Sequence, residues 1–516
     1  MNANSNFNET ESNKNIKKGA LVSYLSIFIN VLAGLLYTPW MIKQIGQEDF
    51  GLYTLAISLI SIFLFDFGLG QAISRFLSKY LAEKKYNKIN KMLGITYKVY
   101  LLIDVLILVT LIVVFINIEY IFNEFTPDEI TKFKVVYIIA AVFSVISFPF
   151  LTLNGILTAY EKFFQLKLYD LLNRIFSISL IIIALLNDMG LYSLVTANAV
   201  SGIITIILKY VTIKRTTSVE VEFKYINKYM MREIFSFSSW SAVVGIAQRL
   251  IFNITPSIIG MVSGAKNIAI FGISSSLEGY IYTLANALNS LFLPKVSRII
   301  TREDSSQKIL SLMIKVGRIQ LYVISIVIIG FILLGKDFIY LWVGEEFSLS
   351  YWSTILMILP AMFYLPQEIG KTAIIALNKV KLQAMVFILM AITNVCLAFI
   401  FSWKWGVVGA SLSIFISYTI RNIGLNLIYH RVLKLDMIEF FKQTYCKIFP
   451  LLLFILIFNY FVFMLMPKVS WVLLLLKGTM LLISYTIIVW VISFNEFEKK
   501  LVKSSFNKVI NLIKRN

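Results

Sequence analysis

The chain has 516 residues, of which 58% are hydrophobic and 15% aromatic, and its mean hydropathy is +0.80. Soluble domains are about 45–50% apolar, so this composition excludes a soluble globular protein and indicates a helical membrane protein. A formal net charge of +20 would suit nucleic-acid binding in a soluble chain. Because cytoplasmic loops of membrane proteins collect Lys and Arg, we expect no nucleic-acid partner.

The residues needed for common catalytic and metal sites are scarce. Two cysteines, Cys396 and Cys446, lie in or beside apolar runs, and His430 is the one histidine. We therefore expect no disulfide framework, no metal site and no cofactor. The sequence has no GxxxxGK[ST] phosphate loop and no HExxH motif, and a lone histidine supplies no Ser/His/Asp set. These features predict a protein that is not an enzyme and has no ATPase of its own.

Long apolar runs fill most of the chain. A helix needs about 20 apolar residues to cross the hydrocarbon core of a bilayer, and continuous runs of this length exclude a membrane β-barrel. We predict an all-α polytopic membrane protein with about 14 transmembrane helices. The predicted spans are residues 20–42, 50–79, 93–116, 133–158, 165–187, 190–213, 233–263, 268–294, 309–335, 350–377, 380–402, 405–430, 444–466 and 470–493.

The distribution of Lys and Arg predicts the orientation of these spans. Residues 1–19 are polar and lack the pattern of a removable signal peptide, so we interpret them as a cytoplasmic tail. With that tail inside, 34 of the 48 Lys and Arg residues fall in inward tails, loops and helix ends, and seven fall in outward loops. The positive-inside rule therefore predicts that both termini are cytoplasmic. The outward cations are Lys43, Lys132, Lys134, Lys266, Lys336, Lys404 and Lys468.

Sequence landmarks recur at a nearly constant offset. The pairs are Pro39 and Pro256 (217 residues apart), Lys162 and Lys379 (217), Gly190 and Gly406 (216), and Phe50-Gly51 and Phe271-Gly272 (221). Such an offset predicts two six-helix lobes in the same orientation, related by a parallel internal repeat, plus two C-terminal helices. The predicted segments are a cytoplasmic tail at 1–19, an N-lobe of helices 1–6 at 20–213, a cytoplasmic linker at 214–232, a C-lobe of helices 7–12 at 233–430, helices 13 and 14 at 444–493, and a basic cytoplasmic tail at 494–516.

Cations inside the predicted spans are the main candidate functional residues. A charge at mid-bilayer costs at least about 2.5–3.5 kcal/mol, so a retained one usually faces a cavity or a partner. Arg174, Arg249 and Arg421 lie too deep to reach the interface cheaply, and we expect at least two of them to line a central cavity. The seven cations within spans are Arg75, Lys98, Arg174, Arg249, Lys371, Arg421 and Lys477.

The remaining four of these cations lie nearer to helix ends. For Arg75, Lys98 and Lys371, extension of the side chain towards the inner interface and a place at the mouth of a cavity are both open. For Lys477 we expect extension towards the outer interface.

Three acids within spans are candidates for ion pairing or ion coupling: Asp66, Glu278 and Glu368. Glu278 matches Arg249 in predicted depth, so the two could form a pair that is either structural or broken by an anionic cargo or a proton. Glu368 and Lys371 are three residues apart on one helix, a spacing worth about 0.2–0.5 kcal/mol in water. Asp66 precedes a glycine-rich patch, which favours packing and helix capping over a proton site.

Pro39 and Pro256 are hinge candidates. Proline inside a helix removes one backbone hydrogen bond and kinks the helix. Matched kinks in two lobes would provide bending points, and static kinks are the alternative.

Several stretches resemble one known family. IGQEDFGLYTLAISL (45–59) and LFDFGLGQAISRFLSKY (64–80) resemble the start of Wzx-type polysaccharide flippases, which translocate O-antigen or capsule repeat units. These flippases belong to the multidrug/oligosaccharidyl-lipid/polysaccharide exporter superfamily. Second-half stretches that fit the same family are GAKNIAIFGISSSL, LPKVSRII, ALNKVKLQ and WKWGVVGASLSI.

The resemblance implies an alternating-access transporter in the bacterial cytoplasmic membrane. Its cargo would be an undecaprenyl-pyrophosphate-linked oligosaccharide, flipped to the outer leaflet for O-antigen or capsule synthesis. The implied partners are this polyprenyl-pyrophosphate-linked saccharide, membrane lipid and the polysaccharide polymerase machinery. By analogy with lipid II flippases, the substrate-binding cations would be Arg249, Arg174, Arg421, Arg75 and Lys371.

Two other functions remain open within the superfamily: an ion-coupled multidrug exporter and a lipid II flippase. Seven cations against five acids within the spans count against a cationic drug as cargo.

Overall fold

The structure is a computed structural model, and it describes residues 9–225, 227–286, 292–300, 304–500 and 503. All regular elements within these ranges are helices, which confirms the all-α prediction. Ten helical segments among the described residues are long and apolar enough to cross a membrane.

The first half of the chain forms helices connected by short turns, with a 3₁₀ turn at Phe148–Leu151 between α6 and α7. The helices are α1 (Glu9–Ile45), α2 (Gln47–Phe63), α3 (Leu69–Ala82), α4 (Tyr86–Ile116), α5 (Ile118–Ile121), α6 (Pro127–Ser147), α7 (Thr152–Ala159), α8 (Phe163–Leu186), α9 (Gly190–Thr216) and α10 (Lys228–Phe252).

The second half continues in the same way, with a 3₁₀ turn at Leu365–Gln367 between α15 and α16. The helices are α11 (Thr255–Asn286), α12 (Leu293–Ile300), α13 (Ser305–Val343), α14 (Ser350–Ile358), α15 (Ala361–Tyr364), α16 (Glu368–Ala376), α17 (Val380–Arg431), α18 (Met437–Phe441), α19 (Phe449–Met464) and α20 (Trp471–Ile488). Short π-helical segments follow α18 and α20, at Lys442–Cys446 and Val489–Ser493.

Two of the long helices contain a break that separates predicted spans. Helix α17 has 52 residues, and at 1.5 Å per residue it would be roughly 78 Å long, against a hydrocarbon core of about 30 Å. Its backbone leaves the helical conformation at Trp405 and Gly406, the first two residues of the span predicted at 405–430, which follows the span predicted at 380–402. Helix α11 breaks in the same way at Gly264, whose φ is 76°. The ten long segments are therefore consistent with about fourteen crossings.

The second predicted span is interrupted. The sequence predicted one helix over residues 50–79, whereas α2 ends at Phe63 and α3 begins at Leu69. Phe67 (φ 51°) and Gly68 (φ 71°) both adopt the left-handed conformation. An L-residue such as Phe67 enters that region at an energetic cost, so contacts of the surrounding chain must hold the break in place.

The internal repeat is visible in the backbone. The 3₁₀ turns carry Pro149 and Pro366, which are 217 residues apart. Glu161 and Asn378, also 217 apart, have φ values of 55° and 56°. Positive φ also recurs at Gly46 and Gly264 and at Gly190 and Gly406. Because the two halves repeat rare backbone conformations as well as residue types, they share local structure as well as sequence pattern.

The described residues divide between two compact units. Unit 1 comprises Met1–Ile273 and Gln383–Ser417, and unit 2 comprises Ser274–Leu382 and Tyr418–Asn516. Unit 1 contains the helices of the predicted N-lobe together with α10, the first part of α11 and the first part of α17. The predicted boundaries of the two lobes stay a prediction.

Candidate functional site

In unit 1, Asp66 stabilises the break between α2 and α3. Its carboxylate accepts hydrogen bonds from the backbone N–H groups of Gly68 (3.0 Å) and Gly70 (3.2 Å) at the start of α3. A Cβ atom on Gly70 would lie 2.5 Å from the Asp66 carboxylate, so a larger residue here would displace that carboxylate. The first turn of a helix leaves backbone N–H groups unsatisfied and attracts anions. Asp66 therefore makes the capping contacts that its glycine-rich context suggested.

Arg249 on α10 contacts the end of α2, on the N-terminal side of this break. Its guanidinium donates a hydrogen bond to the carbonyl oxygen of Ser61, which lies in the last turn of α2, where carbonyls lack helical donors. The guanidinium carbon lies 5.0 Å from the centre of the Phe65 ring, a cation–π distance. One turn earlier, a Cβ on Gly245 would lie 2.2 Å from the same ring. Helix α10 thus holds Phe65 between a glycine and an arginine.

Arg174 on α8 belongs to a separate polar network in unit 1. It interacts electrostatically with Tyr37 and Tyr53. Tyr53 accepts a hydrogen bond from the Asn198 side chain at 3.0 Å, and Ser177 donates to the same amide at 2.7 Å. The buried Nε of Arg174 has no hydrogen-bond partner among the described residues. Four helices thus contribute polar groups around one interior cation.

Arg75, the third substrate-binding candidate in unit 1, has a different environment. It lies on α3 and its side chain is exposed. This position is compatible with the two alternatives that the sequence left open, namely interfacial extension and the mouth of a cavity.

In unit 2, Arg421 on α17 is enclosed by tyrosines. Its guanidinium carbon lies 4.2 Å from the ring centres of both Tyr364 and Tyr418, and these rings are 5.5 Å apart. Glu278 on α11, which is 7% exposed, interacts electrostatically with Arg421 and with both tyrosines. Arginine is more weakly hydrated than lysine and stacks on aromatic faces, so it suits such a buried aromatic site.

Lys371 and Glu368 form the predicted pair on α16, with Nζ 3.1 Å from the carboxylate. Lys371 also interacts electrostatically with Tyr282 and Arg421. Unit 2 therefore brings together two cations and two acids within one group of aromatic side chains. We call this group, Glu278, Glu368, Lys371 and Arg421 with Tyr364 and Tyr418, the unit 2 charge cluster.

The structure does not give Arg249 and Glu278 the partners that matching depth suggested. Arg249 interacts with Ser61, Phe65 and Asp66 in unit 1, whereas Glu278 interacts with Arg421 in unit 2. The position of each residue in the sequence predicts its depth along the helix. Which residue it contacts depends on the direction in which its side chain leaves the helix.

The two hinge candidates occupy different helical positions. Pro39 lies inside α1, where it removes a backbone hydrogen bond. Pro256 lies in the first turn of α11, where its missing N–H costs no helical bond. The interruption near it falls at residues 253–254, between α10 and α11. The bending role of both prolines stays a prediction.

Two buried cations, Lys209 and Arg318, were not identified as paired groups from the sequence. Lys209 on α9 contacts Asp170 (2.9 Å) and the Asn154 side chain (3.0 Å) in unit 1. In unit 2, Arg318 on α13 contacts Glu498. Charge spacing along the sequence gives no sign of these pairs, because the partners are 39 and 180 residues apart.

Lys477 also has a partner that the sequence did not suggest. Its side chain is 6% exposed and lies 3.2 Å from the carboxylate of Asp337 on α13, which is 27% exposed. The predicted extension of Lys477 towards the outer interface stays a prediction.

No group of three or more His, Cys, Asp and Glu side chains suited to a metal ion occurs in the described ranges.

Sequence comparison identifies the family. The family model described as "Polysaccharide biosynthesis protein" matches residues 16–300, which is more than half of the chain. The chain belongs to the polysaccharide biosynthesis protein family. No curated protein sequence matches the chain.

Solved structures share the fold at low sequence identity. A lipid II flippase MurJ in an inward closed conformation has a TM-score of 0.67 and 16% identity, covering 94% of this chain and 99% of that one. An inward-facing multidrug resistance MATE family transporter of the MOP superfamily has a TM-score of 0.65 and 15% identity, with coverage of 80% and 99%. A mutant MATE transporter from Vibrio cholerae has a TM-score of 0.57 and 11% identity, with coverage of 83% and 98%.

Family and fold agree with the sequence prediction. The polysaccharide family and the fold shared with MurJ and MATE transporters support a flippase-like protein with multiple membrane-spanning helices.

Proposed function

We propose that this protein flips undecaprenyl-pyrophosphate-linked oligosaccharide repeat units across the bacterial cytoplasmic membrane by alternating access. The product would supply O-antigen or capsule synthesis. The observation that carries the proposal is the presence of interior guanidinium groups, Arg174 and Arg249 in unit 1 and Arg421 in unit 2, in a chain of the polysaccharide biosynthesis family.

The chemistry of the cargo fits these groups. A sugar headgroup cannot cross about 30 Å of hydrocarbon unaided, and a diphosphate is bound best by the forked donors of arginine. Interior arginines therefore offer the diphosphate a binding partner within the membrane-spanning part of the fold. Membrane lipid would surround the distal part of the polyprenyl chain, and the polysaccharide polymerase would receive the exported unit.

Energy coupling is assigned to Glu278. Asp66 is already hydrogen-bonded to the start of α3, and Glu368 is paired with Lys371. Glu278 is 7% exposed, against 9% for Glu368, and its carboxylate forms no ion pair within 4 Å among the described residues. Protonation of Glu278, or arrival of an anion at Arg421, would change the charge balance of the unit 2 charge cluster.

The test is complementation of a strain that lacks its own repeat-unit flippase, with mass analysis of the lipid-linked intermediates. The protein should restore surface polysaccharide and remove the accumulated intermediate. Arg174→Ala, Arg249→Ala and Arg421→Ala should each reduce export at unchanged protein levels, while Arg215→Ala, at an exposed position at the end of α9, should not. If all three interior variants export normally, the cationic site is wrong.

The shared fold also supports two alternative cargoes, lipid II and drugs. Rescue of a strain depleted of its lipid II flippase, without rescue of polysaccharide export, would assign lipid II as the cargo. Drug resistance that depends on Glu278, with no effect on either lipid-linked sugar, would assign multidrug export.

A further inference from the structure

Unit 1 contains a cavity of about 530 Å³ beside the break in the second span. Its wall is formed by the end of α2, the break itself, the start of α3, the middle of α4 and the C-terminal half of α10. Apart from Thr110, Ser239 and Arg249, the lining is apolar, and Phe63, Phe65 and Phe67 contribute three aromatic rings. The volume lies within the range of small-ligand pockets, about 300–1,000 Å³.

The cavity is a long slot. On α10 the lining runs from Ser239 to Leu250, a distance of roughly 16 Å at 1.5 Å per residue. A cavity whose lining extends over this length along one helix suits an extended, chain-like ligand.

The slot is continuous with lipid-facing side chains. Leu106 and Ile246, which belong to its wall, are 61% and 37% exposed. Large apolar side chains are exposed on membrane helices where they face hydrocarbon. A chain can therefore enter sideways from the bilayer without passing through an aqueous cavity.

Arg249 makes this slot chemically distinct. Thr110 donates its hydroxyl to a carbonyl of its own helix, so the cation is the strongest polar group in the wall. Among the described residues, the guanidinium of Arg249 makes one hydrogen bond, to Ser61. Guanidinium carries several further N–H donors in a fork that matches phosphate oxygens.

Two other cavities in unit 1 provide a contrast. One of about 300 Å³ lies between α4 and α6, and one of about 320 Å³ lies between α10 and α17. Neither is lined by a charged residue, so an uncharged hydrocarbon would suffice to fill them. A cavity that combines an apolar slot with a cation calls for an anionic amphiphile.

We propose that the slot binds the phosphate-proximal part of a polyprenyl chain, with the phosphate on Arg249. This inference rests on the proposed function, because the lipid-linked cargo is what supplies a polyprenyl phosphate. An isoprenoid is preferred to a saturated acyl chain because the proposed cargo carries one, and the three phenylalanine rings of the wall add apolar contact area for it. The slot thereby fixes the lipid portion of the cargo while the headgroup stays free to move.

The test uses purified protein in detergent and native mass spectrometry. The probes are undecaprenyl monophosphate, the neutral polyprenol of the same length and phosphatidylglycerol. Wild-type protein should bind the polyprenyl phosphate about tenfold more tightly than the polyprenol, which is the value of one charge-assisted hydrogen-bond contact. Arg249→Gln should remove this preference and leave polyprenol binding unchanged.

Filling the slot supplies the second measurement. Ala242→Trp places an indole into the cavity and should weaken polyprenyl phosphate binding about tenfold or more. Ala141→Trp places the same side chain into the uncharged cavity between α4 and α6 and should leave binding unchanged. Ala242→Leu serves in place of Ala242→Trp if the tryptophan variant unfolds at a lower temperature than wild type.

The outcomes separate this inference from the proposed function. Equal binding of phosphate and polyprenol, or unchanged binding in both Ala242 variants, would overturn the slot assignment even if polysaccharide export is normal. Stronger binding of phosphatidylglycerol than of polyprenyl phosphate would assign the slot to ordinary phospholipid and overturn it too. Intact binding without export would instead refute transport of the oligosaccharide.

Discussion

Arg318 shows how one buried residue joins three segments of unit 2. Its guanidinium binds Glu498 through both carboxylate oxygens, at 2.6 and 3.1 Å, and it also donates to the carbonyls of Gln443 (3.0 Å) and Ser493 (2.9 Å). The side chains of Arg318 and Glu498 are 8% and 3% exposed. Because a buried ion pair is stable only when its remaining donors are satisfied, these carbonyl contacts are part of what makes the pair tolerable.

Removal of one partner of this pair should strongly destabilise the protein. In Glu498→Gln, the Arg318 charge stays buried without its counter-ion, a change worth about 3–5 kcal/mol. We expect a lower thermal unfolding temperature in detergent and a lower level in the membrane. Lys308→Gln breaks the half-exposed Lys308–Asp304 pair on the same helix and should cost at most about 1 kcal/mol. Equal effects of the two variants would show that burial does not govern the pair.

At the scale of helices, the repeated Phe-Gly pairs mark a helix crossing in unit 1. A Cβ on Gly51 of α2 would lie 2.1 Å from the carbonyl oxygen of Ala265 on α11, and a Cβ on Gly272 would lie 2.8 Å from the Thr54 hydroxyl. Small residues let helix backbones approach closely in membranes. Both copies of the Phe-Gly motif therefore lie at the crossing of α2 and α11.

Gly51→Ala should disrupt this crossing, because the obstructing atom belongs to the backbone and cannot rotate away. We expect a loss of about 1–3 kcal/mol, typical of overpacking, measured as a lower unfolding temperature. Gly279→Ala on the same helix α11 is the matched control, since no atom lies within 4 Å of its added Cβ. That variant should be neutral or slightly stabilising, by about 0.5–1 kcal/mol. The crossing is refuted if Gly51→Ala behaves like the control.

Bending of α1 and of the α10–α11 junction gives a second prediction at this scale. Pro39→Ala and Pro256→Ala should impair polysaccharide export while the protein remains in the membrane, with the larger effect at Pro39, which lies inside its helix. Pro127→Ala, at the first position of α6, should export normally because its N–H is not needed there. Wild-type export by both hinge variants would leave static kinks as the explanation.

For the whole molecule, the predicted orientation can be tested by thiol labelling. In a Cys396→Ala, Cys446→Ala background, Lys379→Cys should be protected from a membrane-impermeant thiol reagent in intact cells, because this position is predicted to be cytoplasmic. Lys404→Cys should be labelled. Both lysines are exposed in the structure, so access to solvent within the fold does not separate them. Labelling in the opposite order would invert the topology.

Length and hydropathy determined the class of this protein. Continuous apolar runs of 20 or more residues can bury their backbone polar groups only as helices, so the sequence was enough for the all-α membrane fold and the approximate number of spans. The offset of 217 residues was also enough for the repeat. The same offset separates Pro149 and Pro366, which were recognised as a pair only because both lie in 3₁₀ turns.

Tertiary structure alone decided which charges meet. The break at Leu64–Gly68 is stabilised by Asp66 and by Arg249, which lies more than 180 residues away in sequence. A hydropathy profile does not predict such a contact. Lys209, Arg318 and Lys477 find their acids in the same way. The reason is geometric: sequence spacing gives the depth of a side chain along its helix, whereas its partner depends on the rotation and packing of the neighbouring helices.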